Sequence, residues 1–286
     1  MEQAVYTIRT ITNLHMGDIG GAVNIIDKSV QKDAVTEYPT IYATSLKGAL
    51  RNAAALYNAA LYNAAQTQNE EKINLQNVFG DTNADGAWKG KYRFNDAHLL
   101  FYPIRSDRRP YYLAVSPMLL EQALQIMEIA GKMEKAIEII EAFKEQRETD
   151  KLYVSGVTGD VLVGNIFVGV NENAEDVNAA KALLGLFNIK NEPGLLYLSD
   201  QEMSEHLEQL PVIARNQLNN GISANLWYEE FVPRKTVFLT LISRECEDTG
   251  FDRMLKEPFQ MGANATVGYG LSVMQKVKRE EIRHDG

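Results

Sequence analysis

The sequence predicts an α+β fold in a single domain spanning residues 1–286, and three observations lead there. Strand-like and helix-like segments are mixed without a regular βα repeat. The connections between them are long for a compact protein, as in a small core fold that carries large insertions. The chain has 286 residues, 45% hydrophobic and 23% charged, which is an ordinary globular balance with enough apolar material for a sizeable core.

The elements follow in order. Residues 4–12, AVYTIRTIT, read as a strand with Tyr6 and Ile8 on one side and Thr7 and Arg9 on the other. The glycine-bearing HMGDIGGAVNIIDKSVQKD (15–33) is a long, partly flexible connection. From Ser45, Leu46, Ala49, Leu50, Ala53, Leu56, Tyr57 and Ala60 recur at helical spacing. Residues 74–93 are a glycine- and asparagine-rich connection, and AHLLFYPI and YYLAVS within 97–115 are strands parted by the charged turn RSDRRP. One long helix is expected over 117–147. LYVSG and VLVGNIFVGV read as strands, 175–187 and 200–209 as helices, and 211–232 as polar and turn-rich until LWYEEFV. KTVFLTLIS (235–243) is apolar on both faces and is placed in the middle of a sheet. FDRMLKEPF is a short helix, a glycine loop follows at 262–270, and LSVMQKV is the last strand.

Composition narrows the function. A formal charge of −9 argues weakly against a free-standing nucleic-acid binder, because such binding is chiefly electrostatic. The charge is segregated, however: acids gather in 121–150 and 172–208, whereas Lys89, Lys91, Arg93, Arg105, Arg108 and Arg109 form a basic stretch. A single cysteine, Cys246, permits no internal disulfide and fits a reducing, cytoplasmic setting. No apolar run is long enough to cross a bilayer, so no membrane association and no export signal are expected.

Several stretches carry candidate chemistry. Gly262, Gly268 and Gly270 allow positive φ or close approach, and exposed amides there could form an anion nest. The loop matches neither a dinucleotide fingerprint nor a P-loop, and a tight helix-to-strand turn explains it equally. Ser45 is a plausible helix N-cap with no carboxylate claiming the first-turn amides, and Lys47 and Arg51 lie one turn apart on one face. Gly48, early in a helix, needs a reason. His15 and Asp27 bracket a flexible stretch; a histidine titrates near neutrality and an aspartate can hold a divalent ion. Trp227 and Tyr228, beside Arg215, Arg234 and Lys235, could stack on bases or form the foot of a hairpin. Arg108 and Arg109 suit a turn as well as a binding patch.

The order ITNLHMG, NIIDKSVQKD, YATSLKGALR, LWYEEFVP and GANATVGYG resembles the backbone-subunit family of type III-B CRISPR effector complexes, subunit four of the Cmr module in the RAMP superfamily. The resemblance covers residues 5 to about 273. It implies a ferredoxin-like, RRM-related palm with large insertions: fingers, and a β-hairpin thumb at roughly 190–234. It further implies copies stacked as a helical filament on a CRISPR guide RNA, beside other subunits of the complex, with a complementary target RNA cut at six-nucleotide intervals. Divalent metal, Mg²⁺ or Mn²⁺, would assist at Asp27. By the same resemblance Asp27 is the principal cleavage residue, accompanied by His15, Glu230 and Tyr228. Ser45, Lys47, Arg51, Arg215, Trp227, Gly262, Gly268 and Gly270 would contact RNA. The alternative is a structural guide-RNA-binding filament subunit without nuclease activity of its own. The chain departs from the family in having YATSLKGALR where a proline-containing PGSSLKGALR is common, and Gly262-Ala263 in place of a glycine pair.

Overall fold

The computed structural model describes residues 1–18, 26–63, 72–83, 86–192, 194–220 and 222–278. Most of the stretch 16–26, the end of the helix that starts near Ser45 and the charged tail lie outside the described residues.

The chain runs β1 (Glu2–Thr10), β2 (Thr40–Ile41), α1 (Ala43–Asn63), α2 (Leu75–Phe79), β3 (Asp81–Asn83), β4 (Gly86–Trp88), β5 (Tyr92–Phe94), β6 (Ala97–Ile104) and β7 (Tyr112–Val115). It continues through α3 (Pro117–Ala130), α4 (Glu134–Gln146), β8 (Lys151–Tyr153), β9 (Val161–Val163), β10 (Ile166–Asn171), α5 (Ala174–Leu186), β11 (Leu195–Tyr197) and α6 (Asp200–Glu208). A hairpin of β12 (Val212–Asn219) and β13 (Ile222–Glu230) leads to β14 (Val237–Arg244), α7 (Thr249–Met254), β15 (Phe259–Gln260) and β16 (Leu271–Lys276).

Among the described residues, one sheet of 12 strands takes the order β15-β16-β1-β14-β6-β7-β11-β8-β10-β9, with β2 on β6 and β5 on β14. Its heart is a ferredoxin-like palm. The path β1, α1, β6, β14, α7, β16 gives the spatial order β16-β1-β14-β6, antiparallel throughout. Everything else is inserted into that path. Val237–Ser243 are buried at every position, so both faces of β14 are covered. Helix α3 packs on β1, β6 and β14. Thr7 is therefore buried rather than solvated.

Several local expectations are corrected. The 117–147 segment is two helices, because Gly131 (φ 64°) and Lys132 (φ 56°) are both left-handed and the helical ladder cannot pass them. VLVGNIFVGV is a hairpin, not one strand: Gly164 (φ 58°) reverses the chain and Ile166 pairs with Val163. The 74–93 connection contains α2 and strands β3 to β5, and 212–219 is a strand whose pairing shifts register between Gln217 and Leu218. Helix α1 starts at Ala43, so Ser45 is its third residue and not its cap. A carboxylate does claim the first turn, since Asp96 Oδ1 accepts the Ala43 N–H at 2.6 Å. RSDRRP is the turn between β6 and β7.

The palm's last connection depends on two glycines. A Cβ on Gly270 (φ 82°) would lie 1.8 Å from the Met261 carbonyl oxygen, and one on Gly262 (φ 76°) would lie 2.4 Å from that of His15. Gly48 is the opposite case, with open space over its Cα. Gly270→Ala should therefore destabilise the protein by about 3 kcal/mol or more. Gly48→Ala should stabilise it by about 0.5–1 kcal/mol, as alanine does in a helix interior. Urea unfolding midpoints of the two variants check both signs.

Candidate nucleic-acid interface

Four chain segments meet at the root of the β12–β13 hairpin. The hairpin is a separate two-stranded sheet, and such a pair is marginal alone, so its orientation depends on how its root is held. The segment after β1 grips it from one side: Leu14 and Val232 exchange N–H···O bonds of 2.8 Å. The strap 27–32 runs parallel to β13 on another side. Asp27 and Lys28 N–H donate to Tyr228 O at 3.1 and 3.2 Å, and Glu230 N–H donates to Lys28 O at 2.9 Å. The glycine loop closes the ring, with Ala263 N–H on His15 O (2.9 Å) and Gly270 N–H on Asn13 O (2.7 Å).

Side chains fill the centre of this ring. Glu229 is 1% exposed, and its carboxylate accepts hydrogen bonds from Arg215 Nε and from Asn264 Nδ2, the latter at 2.9 Å. Lys28 Nζ and His15 Nε2 each lie 3.8 Å from its other oxygen. Burial alone would push the Glu229 carboxyl up, but those hydrogen bonds and the charges of His15 and Arg215 outweigh it and hold it below the usual carboxylate range. His15, 3% exposed, has Nδ1 at 2.6 Å from the Glu230 carbonyl oxygen. A carbonyl only accepts, so Nδ1 carries the proton. Glu230, 2% exposed, accepts Val30 N–H at 3.0 Å and pairs with Lys32 at 3.4 Å. Glu230 thus ties the strap to the hairpin, and His15 ties the segment after β1 to it.

Asp27 and Tyr228 face outward. Asp27 is exposed, and its Oδ2 accepts the Tyr228 N–H at 2.8 Å, which fixes the carboxylate beside the hairpin. The Tyr228 side chain is 40% exposed. Strand alternation puts Trp227, Glu229 and the cross-strand Arg215 on one face of the hairpin, and Tyr228 and Glu230 on the other. On the first face Lys28 Nζ sits 4.9 Å over the Trp227 ring and the Arg215 guanidinium 4.8 Å over Tyr269, both cation–π contacts.

The structure thus brings Asp27, His15, Tyr228, Glu230, Arg215, Trp227 and Gly262 to one place. Ser45 joins through Gln31, whose Nε2 donates to Ser45 Oγ (2.8 Å) and to Gly17 O (3.3 Å). Lys47 and Arg51 lie further along α1, and Arg51 pairs with Asp81 at 3.5 Å. Gly262 and Gly270 make room for the chain's own backbone, whereas Gly268 faces open space. Five of the loop's amides, those of Ala263, Val267, Gly268, Tyr269 and Gly270, donate to protein carbonyls. Sequence reasoning missed Glu229, Asn264 and Gln31. Among the described residues no three His, Cys, Asp or Glu converge as a metal cage.

Because the folded-state pKa of Glu229 is depressed, its stabilisation is present above the unfolded value of 4.5 and is lost as pH falls through the folded one. Glu229→Gln should lower stability at neutral pH by about 1–3 kcal/mol. The gap between wild type and variant should stay flat above pH 4.5 and shrink below it, read from urea midpoints across pH.

Comparisons with known proteins agree with this architecture. The CRISPR system Cmr endoribonuclease Cmr4 of Pyrococcus furiosus is 26% identical over 307 residues, covering 100% of this chain and 98% of that protein. A chain of a type III-B Cmr-beta cryo-EM structure in the apo state superposes with a TM-score of 0.76 at 19% identity, covering 97% of this chain and 98% of the other. The crystal structure of oligomeric Cmr4 from Pyrococcus furiosus gives a TM-score of 0.65 at 21% identity, with 97% and 100% covered. The RAMP superfamily model matches residues 7–273, nearly the whole chain. With its ferredoxin-like palm and inserted hairpin, the chain belongs to the RAMP superfamily.

Proposed function

We propose that this chain is a backbone subunit of a type III-B CRISPR effector complex, binding guide RNA in repeated copies and cutting the paired target RNA through Asp27. The observation that carries this reading is the exposed Asp27 carboxylate, clamped by the Tyr228 N–H at the root of a hairpin that stands free of the main sheet. End-to-end similarity to a protein named as a Cmr endoribonuclease supports it. Of the candidate cations Lys28 and Arg215 pair with Glu229 and Arg51 with Asp81, so among these four Lys47 has its charge left for a polyanion. Sequence specificity would come from base pairing, so the protein need read only backbone and shape.

In the cleavage step, a nucleotide displaced by the hairpin presents its 2′-oxygen in line with the adjacent phosphorus. The new O2′–P bond forms as the P–O5′ bond breaks, leaving a cyclic phosphate and a 5′-hydroxyl. Most of the acceleration is positional. Asp27 orients the attacking hydroxyl and accepts its proton, and solvent water protonates the departing O5′. Mg²⁺ or Mn²⁺, bound by Asp27 together with RNA phosphates, would add charge neutralisation there. His15 and Glu230, both buried, act as positioning residues, Glu230 for the strap and His15 for the segment after β1.

Asp27→Ala separates the two halves of the proposal. In an assembled complex it should leave guide and target affinity within about twofold and slow target cutting by at least 100-fold, about 2.7 kcal/mol in the barrier. Unchanged cutting would leave a structural RNA-binding subunit only. Nuclease footprints of the guide without a six-nucleotide period would remove the backbone reading as well.

A further inference from the structure

We propose that the turn between β13 and β14 forms a phosphate-binding corner for the RNA backbone, in which Arg234 and Lys235 act together with Arg9 and the Tyr111 hydroxyl. The inference rests on the RNA-binding reading above, and extends it from the hairpin root to the end of the palm sheet.

The corner is built from four places in the chain. Arg9, at the end of β1, and Lys235 both pair with Glu192, the latter at 3.9 Å. Tyr111 O–H donates to the other Glu192 oxygen at 2.6 Å, and Lys235 Nζ sits 5.9 Å from the centre of the Tyr111 ring. Arg234 is exposed. Its charge acts with that of Arg9 on the Tyr111 hydroxyl, against the burial and the Glu192 contact that push this group up to about 12.

The balance of charge sets the kind of ligand. Glu192 cancels one of three cations, and among the described residues Arg234 has no ion-pair partner. The Glu192 side chain is 3% exposed, against 22% for Arg9 and 38% for Lys235, so the carboxylate lies beneath and the cations reach outward. A surplus of positive charge at an open surface, in a chain of net charge −9, attracts an anion. Guanidinium, ammonium and hydroxyl donors together suit the oxygens of a phosphodiester.

The corner is also fixed, and it adjoins the hairpin root. Lys235 N–H donates to Thr10 O at 2.8 Å, and the Thr10 and Thr236 hydroxyls donate to Pro233 O at 3.0 and 2.8 Å. Lys235 is thereby held at a left-handed φ of 79°, a conformation that suits glycine better than any residue with a side chain. Asn13 links the turn to the glycine loop, taking the Arg234 N–H on Oδ1 (3.1 Å) and the Gly270 N–H on its carbonyl (2.7 Å). Leu14 and Val232, the pair that grips the hairpin, lie within two residues of Asn13 and Arg234.

Arg234→Ala and Lys235→Gly test this against labelled oligo-U and oligo-A, with affinity read by anisotropy across a salt series. Each variant should bind about threefold more weakly and lower the salt slope by about 0.7, equally on both RNAs, because a phosphate contact carries no sequence information. Arg234→Lys should restore the slope. Lys235→Gly should weaken binding without lowering the urea midpoint, since glycine accepts the left-handed φ, whereas a purely structural lysine would leave the slope unchanged. Wild-type slope and affinity in the double variant overturn the proposal while the RNA-binding reading stands. So does a loss of self-association, seen by sedimentation, with the slope unchanged, since that would assign the corner to the acidic 121–150 or 172–208 stretch of another copy. Absence of RNA binding by the wild-type protein overturns both.

Discussion

The site depends on one buried carboxylate. Glu229 sits at the centre of four chain segments: the hairpin strand β12 and the glycine loop each send it a hydrogen-bond donor, and the strap sends it a cation. An ionised carboxylate this buried is tolerated only when its oxygens are fully engaged. That requirement couples the segments, because moving any one of them strands the charge. The hairpin, which is too small to hold its own orientation, takes it from this ring.

The same constraint explains the division of labour among the candidate residues. Outward-facing Asp27 and Tyr228 share a backbone hydrogen bond, so the carboxylate has a fixed place relative to the hairpin. His15 and Glu230, which the family resemblance groups with them, point inward and bond to backbone. A reactive group can be exposed and still well placed only if its neighbours are not. Glycines 262 and 270 serve that end too, by letting the loop press against His15 and Met261.

Much of the palm was legible in the sequence, for physical reasons that vary with the element. KTVFLTLIS could only be an interior strand, since no register puts a polar residue of that run toward water often enough. Leu46, Ala49, Leu50 and Ala53 announced α1 by spacing alone. The division of 117–147 was hidden, because both halves carry the same apolar period and the break depends on two left-handed residues. Glu229 and Glu230 are indistinguishable in sequence. Which of them becomes the hub follows from the pairing of Ile213 with Glu229 and from a glycine loop more than 30 residues away, information that exists only in three dimensions. Gln31 was equally silent, although it joins the strap to α1.

The proposed cleavage depends on the root of the β12–β13 hairpin bringing a target phosphate to Asp27. A structure of the assembled complex, carrying Asp27→Asn to keep the target uncut, measures this directly. The account predicts an unstacked target nucleotide beside the hairpin with its phosphate touching residue 27. A continuously stacked duplex, with the strap remote from every target phosphate, would contradict it.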